Sequence, residues 1–324
     1  MVQAIRIHET GGPEVMRYES VEVGAPGPGE ARVRNTAIGV NYVDTYNRSG
    51  LYPLTLPSGL GSEGAGVVVA VGAGVDYLKA GDRVAYCVGP QGAYAEERVM
   101  PADRLVKIPH GIDDVTAATA MLKGLTVQYL FRQTHVLKGG ETILFHAAAG
   151  GVGLIACQWA RALGVTMIGT VGSDAKAEVA RANGCAHTIV YTRENFVERV
   201  KAITGGKGVP VVYDSIGKDT FPASLDCLSP RGLFVSFGSS SGPVPPFNVG
   251  MLAPKGSLYV TRPTLFTYAA RRADLLAMAD ELFALILAGK IKSEARQRFA
   301  LKDAADAHRA LESRATTGAT VLIP

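Results

Sequence analysis

The chain has 324 residues, too many for one compact core and enough for two domains. Its residues are 47% hydrophobic and 19% charged, with no low-complexity tract, which excludes a disordered or fibrous protein. A net charge of +4 suits an anionic small ligand but supplies no basic block to follow a phosphodiester backbone, so nucleic-acid binding is not expected.

The N-terminal MVQAIRIHETGGPE reads as a strand followed by a turn. It lacks a basic segment leading into an apolar one, so no secretory signal is expected. No stretch approaches the roughly 18 uninterrupted apolar residues of a membrane span, and a cytoplasmic location is expected. Cys87, Cys157, Cys185 and Cys227 are widely scattered, which fits reduced packing thiols.

The first third carries short β-like runs (Ala31–Arg34, Gly64–Val71, Asp82–Cys87) cut by Gly and Pro turns, the texture of an irregular antiparallel domain. Thr116–Arg132 then has helical spacing. Beyond Lys138–Gly140, strands and helices alternate: strands at Glu141–His146, Val165–Thr170, Thr188–Val190, Val209–Asp214 and Gly232–Phe237, helices at Gly150–Leu163, Asp174–Asn183, Phe196–Ile203 and Phe221–Cys227. Such crossovers imply a doubly wound parallel sheet. A strand at Ser257–Thr261, a long helix at Ala273–Ala288 and a strand near Ala319–Ile323 complete an α/β chain. The expected division is a β domain over 1–124 and 263–324 around a Rossmann domain over 125–262.

The most informative segment follows the strand Glu141–His146. Ala147, Gly150 and Gly153 form an A-x-x-G-x-x-G version of the dinucleotide fingerprint, between a strand and a helix. Small residues there let the backbone approach a pyrophosphate, and the helix start offers free N–H groups. NAD sites place an acid at the end of the next strand. Here that strand ends Gly169-Thr170-Val171-Gly172-Ser173, with Asp174 next, readable as a helix N-cap, and Lys176 one turn on. A hydroxyl and an ammonium suit a 2′-phosphate, so NADPH is favoured over NAD.

Gly61-Ser62-Glu63-Gly64 resembles the G-H-E-x-x-G-x-V stretch of zinc alcohol dehydrogenases, with Ser62 where a ligand histidine would stand. Asn41 likewise stands where those enzymes place a ligand cysteine. Serine and asparagine are poor zinc ligands. His8, His110, His135, His146, His187 and His308 show no ligand spacing, and His146 reads as a packed strand-end residue. A metal-free enzyme is expected.

Several longer stretches, NYVDTYNRSGLY (41–52), PSGLGSEGAGV (57–67), KGLT (123–126), FHAAAGGVGLIACQW (145–159), VYDSIG (212–217), VSFGSSSG (235–242), GSLYVTRP (256–263) and ESRATTGATVLIP (312–324), carry a resemblance across essentially the whole chain. Together they resemble the quinone oxidoreductases of the zeta-crystallin branch of the medium-chain dehydrogenase/reductases. The resemblance implies a GroES-like β domain beside the Rossmann domain, with the nicotinamide in the cleft between them. It implies that Asn41, Tyr46 and Tyr52 line the substrate side. Gly172, Ser173, Lys176, Tyr191 and Arg314 would surround the 2′-phosphate, and Thr126, Gly150, Gly151, Val152, Phe237, Gly238 and Ser240 would meet the rest of NADPH. It also implies a homodimer pairing the edge segments Gly256–Pro263.

The implied reaction is hydride delivery to a quinone or conjugated carbonyl, with Asn41, Tyr46 and Tyr52 as donors to the developing oxyanion and none of them an obligatory acid, since water can supply the final proton. The nearest alternative is a 2-alkenal or enoyl-thioester reductase. In another class, the chain would hold NADPH without turnover, as a crystallin-like or RNA-binding protein. The lack of a basic, aromatic-interleaved cluster argues against RNA.

Overall fold

Alternating burial along the early strands gives the first sheet one core face. In the computed structural model, which describes residues 1–324, the chain opens with β1 (Val2–Ile7), β2 (Glu30–Val40), helix α1 (Tyr42–Ser49), β3 (Glu63–Val71), β4 (Arg83–Tyr86), β5 (Glu97–Pro101) and helix α2 (Asp114–Tyr129). Strand β2 is central, antiparallel to β3 from Ala31↔Val71 to Gly39↔Glu63 and to β5 from Glu30↔Pro101 to Arg34↔Glu97. Ile5, Ile7, Val33, Ile38, Val68, Tyr86 and Met100 fill the core beneath it. Helix α1 was not expected, because YVDTYNRS is polar and poor in helix formers. It forms because the Asp44 carboxylate accepts the Asn41 backbone N–H at 2.8 Å and Gly50, at φ +83°, closes the other end.

Then the alternation predicted from the sequence follows: β6 (Thr142–Phe145), α3 (Gly151–Ala162), β7 (Thr166–Val171), α4 (Asp174–Ala182), β8 (His187–Val190), α5 (Phe196–Ile203), β9 (Val209–Asp214), β10 (Leu228–Ser236) and β11 (Tyr259–Thr261). The sheet order is β8-β7-β6-β9-β10-β11 with every neighbour parallel, the order of a Rossmann sheet. Leu144, Ile168, Ile189, Val212 and Phe234 lie in its core. Two expected helices differ. The stretch Phe221–Cys227 yields only a 3-10 turn over Ala223–Cys227, since Pro222 brings no N–H and little length remains. The end of α2 widens into a π turn over Leu130–Thr134, where the Tyr213 hydroxyl donates to the Leu130 carbonyl at 3.1 Å.

The chain then adds α6 (Arg272–Leu287), β12 (Ala295–Ala300), α7 (Ala304–Glu312) and β13 (Ala319–Ile323), which pairs antiparallel with β2 (Thr320↔Val40) and parallel with β12. Strand β12 and helix α7 escaped the sequence reading because ARQRFA is heavily charged and AADAHRALE is short. Two compact units result, Met1–Leu125 with Tyr268–Pro324, and Thr126–Thr267. All four cysteines are buried and unbonded, as expected. No helix is long and apolar enough to cross a membrane.

Candidate active site

The turn from β6 into α3 is shaped for close backbone approach. Ala147 takes a left-handed φ of +58°, and Gly150, at φ −76° and ψ 174°, caps α3 without any side-chain hydrogen bond to the helix. The first N–H groups of α3, including those of Gly151 and Val152, thus meet no side-chain cap, the state a helix start needs to accept an anion. Gly153 is required sterically, because a Cβ there would collide with the carbonyls of Ala147 and Ala148.

Two buried polar groups, of which the sequence reading missed Asp214, hold this end of the sheet. His146 is packed, as read from the sequence: Nδ1 lies 2.9 Å from Thr170 Oγ1 and Nε2 2.9 Å from Ser224 Oγ. Burial holds its pKa below the usual imidazole value. Asp214, at the end of β9, accepts the backbone N–H of Ile216 at 2.7 Å and of Gly217 at 2.9 Å, and the Thr220 hydroxyl at 2.5 Å. Its signal was an acid directly ending an apolar strand. Phe237, Gly238 and Ser240 follow β10 beside that turn. Phe237 N donates to Asp214 O at 2.8 Å, Ser240 N to Ser215 O at 3.1 Å, and a Cβ on Gly238 would lie 2.7 Å from the Ser215 carbonyl. The Phe237 ring lies 5.6 Å from that of Phe145. Thr126 is buried in α2.

Beyond β7, Gly172 and Tyr191 come together: a Cβ at Gly172 would lie 3.1 Å from the Tyr191 hydroxyl, and Tyr191 N donates to Val171 O at 3.1 Å. The N-cap of α4 is Ser173 rather than Asp174; its hydroxyl accepts from Lys176 N at 3.3 Å. Asp174 takes the first helical position instead and is forked by Arg193, with both N–H···O distances 2.5 Å. Arg193 holds that carboxyl below the usual range. The acid that argued against a 2′-phosphate is therefore neutralised by an arginine 19 residues away, which sequence reading had no means of pairing with it. Arg314 belongs to the other unit, at φ +58° after α7, where its side chain hydrogen-bonds Tyr42.

The residues expected on the acceptor side gather around α1. The rings of Tyr46 and Tyr52 meet edge-on with centroids 5.2 Å apart, and Tyr52 N donates to Tyr46 O at 3.1 Å. Asn41 is buried and turns its side chain away from the helix start. Its Nδ2 donates to Glu63 Oε2 at 2.8 Å, and its Oδ1 accepts from Lys123 Nζ at 2.7 Å. Ser62 Oγ donates to Asp44 Oδ1 at 3.2 Å and accepts from Gln91 Nε2 at 3.0 Å. No three His, Cys, Asp or Glu side chains converge as metal ligands, and a lysine ammonium stands beside Asn41. These donors do not fit zinc. Glu63, Lys123 and Asp44 were missed as site residues, because only the fold brings positions 41, 63 and 123 together.

Known proteins share both kinds of unit. The Zinc-binding dehydrogenase family matches residues 151–281, and the Alcohol dehydrogenase GroES-like domain matches residues 27–110. A Pseudomonas aeruginosa quinone oxidoreductase is 61% identical over 325 residues, covering 100% of both chains. The chain belongs to the quinone oxidoreductase family. A solved Escherichia coli quinone oxidoreductase complexed with NADPH is 53% identical, with TM-score 0.98 over 99% of this chain and 100% of that one. A Burkholderia 2-haloacrylate reductase is 50% identical over 100% of this chain and 99% of its own length. Membership in the quinone oxidoreductases of the medium-chain dehydrogenase/reductase superfamily agrees with the resemblance read from the sequence, and with the GroES-like and Rossmann units seen here.

Proposed function

We propose that this quinone oxidoreductase reduces quinones with NADPH and without a metal. The observation that carries the reading is Asn41, a hydrogen-bond donor held by Lys123 and Glu63 where zinc alcohol dehydrogenases place a ligand. A fixed donor suffices for acceptors that delocalise incoming charge onto oxygen, whereas a simple ketone benefits more from a Lewis acid. Full-length identity of 61% to a quinone oxidoreductase supports the same substrate class.

The loop geometry fits a dinucleotide. Gly150, Gly151 and Val152 would hold the pyrophosphate at the start of α3, with Thr126, Phe237, Gly238 and Ser240 toward the nicotinamide. Gly172, Ser173, Lys176, Tyr191 and Arg314 would hold the 2′-phosphate, for which Arg193 removes the competing charge of Asp174. When bound, NADPH supplies hydride. Asn41, Tyr46 and Tyr52 orient the acceptor and donate hydrogen bonds to the oxygen that gains charge. The unit Thr126–Thr267 would bind the cofactor, and Met1–Leu125 with Tyr268–Pro324 would be the catalytic unit, a boundary five residues later than the 262/263 expected from the sequence. The exposed edge strand β11, with Tyr259 60% accessible, suits pairing with a second copy in a cytoplasmic homodimer.

The test is NADPH oxidation with 1,4-benzoquinone, 9,10-phenanthrenequinone, an alkenal and an enoyl thioester, with NADH and a chelator in parallel. Quinone turnover that prefers NADPH and ignores the chelator is expected. Turnover with the alkenal or thioester alone would move the function to the rival reductase class. Absence of turnover despite NADPH binding would point to a non-catalytic role.

A further inference from the structure

The Asn41 amide is held in one orientation. Lys123 can only donate, so the atom 2.7 Å from Nζ is the amide oxygen; Glu63 accepts, so the atom 2.8 Å from Oε2 is Nδ2. Lys123 Nζ also lies 3.0 Å from that same Glu63 oxygen, closing the cluster into a ring. The other carboxylate oxygen accepts from Leu122 N at 2.7 Å. Gly39 makes the room, since a Cβ there would collide with Glu63 Oε2 and the Ala118 carbonyl. The Lys123 and Glu63 side chains are 5% and 0% accessible.

Stability alone does not account for this ring, because well-packed apolar residues commonly serve a core as well as a buried ion pair does. Its distinctive product is an amide with one hydrogen committed to Glu63. The second hydrogen has only a 3.5 Å contact between Nδ2 and the Gly39 carbonyl, at the outer limit of a hydrogen bond. We propose that Lys123 is a positioning residue for the reduction, its ammonium orienting and polarising the Asn41 amide toward the acceptor oxygen that gains charge. The inference rests on the quinone-reducing reading above. In the balanced step, a C–H bond of the reduced nicotinamide breaks and its electron pair forms the new bond of the acceptor. A carbonyl π pair moves onto oxygen, and that anion takes a proton from solvent. Lys123 keeps its own proton throughout and supplies field rather than acid.

The experiment uses the full chain, wild type and the variants Lys123→Met, Lys123→Arg and Lys123→Met/Glu63→Gln, with benzoquinones graded by reduction potential. The double variant removes the ammonium without leaving a bare buried carboxylate, and keeps an acceptor for Asn41. Loss of the ammonium is expected to lower kcat about 10- to 100-fold, while the NADPH Kd stays within about twofold. The plot of log kcat/KM against quinone potential is expected to steepen, because weak acceptors depend most on oxyanion stabilisation, and Lys123→Arg to recover part of the loss. A uniform drop across all quinones with an unchanged slope, or no drop at all, overturns the proposal. If wild type itself reduces no quinone, the underlying functional reading fails first, and that outcome is distinct from an unchanged slope in an active enzyme.

Discussion

Asp44 and His308 are joined through a single phenol: the Tyr94 hydroxyl donates to Asp44 Oδ2 at 2.9 Å and lies 3.0 Å from His308 Nε2. Arg48 Nη1, which can only donate, lies 3.0 Å from His308 Nδ1, so neutral His308 accepts there and carries its proton on Nε2. Arg48 in turn forks Glu312 at 2.6 and 3.0 Å. This chain of contacts ties α1, which carries Tyr46, to α7, which leads to Arg314. Burial, with Arg48 adding to it, lowers the His308 pKa from 6.5 to about 3. Burial raises that of Asp44 from 3.8 to about 6, against hydrogen bonds from Asn41, Tyr94 and Ser62.

The two shifts have opposite signs. The depressed His308 value contributes stability that is complete above pH 6.5 and lost as pH falls toward 3. The raised Asp44 value contributes stability complete below pH 3.8 and lost as pH rises through 6. The larger shift is that of His308, so net stability should drop slightly between pH 6.5 and 6, stay nearly level to pH 3.8 where the two changes cancel, and fall again toward pH 3. His308→Leu should cost about 1–3 kcal/mol at pH 7.5, by depriving Arg48 Nη1 of its imidazole acceptor, and its deficit against wild type should shrink toward pH 4. Thermal melts across this range check it; a constant deficit would contradict the assignment.

Gly153→Ala should weaken NADPH binding at least tenfold, as its new Cβ forces the Ala147 and Ala148 carbonyls to move and with them the loop proposed to face the pyrophosphate. Fluorescence titration with NADPH measures it. An unchanged Kd with a normal melting temperature would show that the loop is not the phosphate site.

Arg193→Ala should reduce the preference for NADPH over NADH about two- to fivefold, because it frees the Asp174 carboxylate beside the proposed 2′-phosphate site. Adding Asp174→Ala should restore most of that preference. The kcat/KM ratio for the two cofactors is the readout. Failure of the second substitution to restore it would mean that Arg193 contacts the phosphate itself.

Asn41→Ala should lower quinone kcat/KM by about 100-fold, and Tyr52→Phe by less, since Asn41 is rigidly held while Tyr52 is only half-buried. Steady-state kinetics at saturating NADPH separate this from cofactor effects. If both substitutions left kcat/KM unchanged, the oxyanion role would be wrong.

The Rossmann half was legible because its code is local: apolar strands at β6 and β9, a glycine loop in the right context, and amphipathic helices between them. The GroES-like half was legible only as texture. Helix α1 depends on Asp44 reaching back to Asn41 N, and β12 on its register with β13, neither of which shows as periodicity. At the site, single positions such as Asn41 and Ser62 could be read from their neighbours. The Lys123–Glu63 pair and the Arg193–Asp174 pair could not, because opposite charges 60 and 19 residues apart become partners only when strands and helices set their distance.

The edge strand β11 gives the last expectation. Its outer side has no partner strand, and Tyr259 and Val260 are 60% and 37% accessible, so a second copy could continue the sheet by antiparallel pairing. Charged side chains on an edge strand oppose such pairing. Tyr259→Asp with Val260→Lys should therefore shift the protein toward monomer in analytical ultracentrifugation, with little effect on folding, since these side chains are not in the core cluster. NADPH affinity should stay within about twofold, as β9 and β10 separate β11 in the sheet from β6, which leads into the loop proposed to hold the pyrophosphate. A dimer that survives both charges would place the interface on another surface, and a wild-type monomer would remove the edge-pairing proposal altogether.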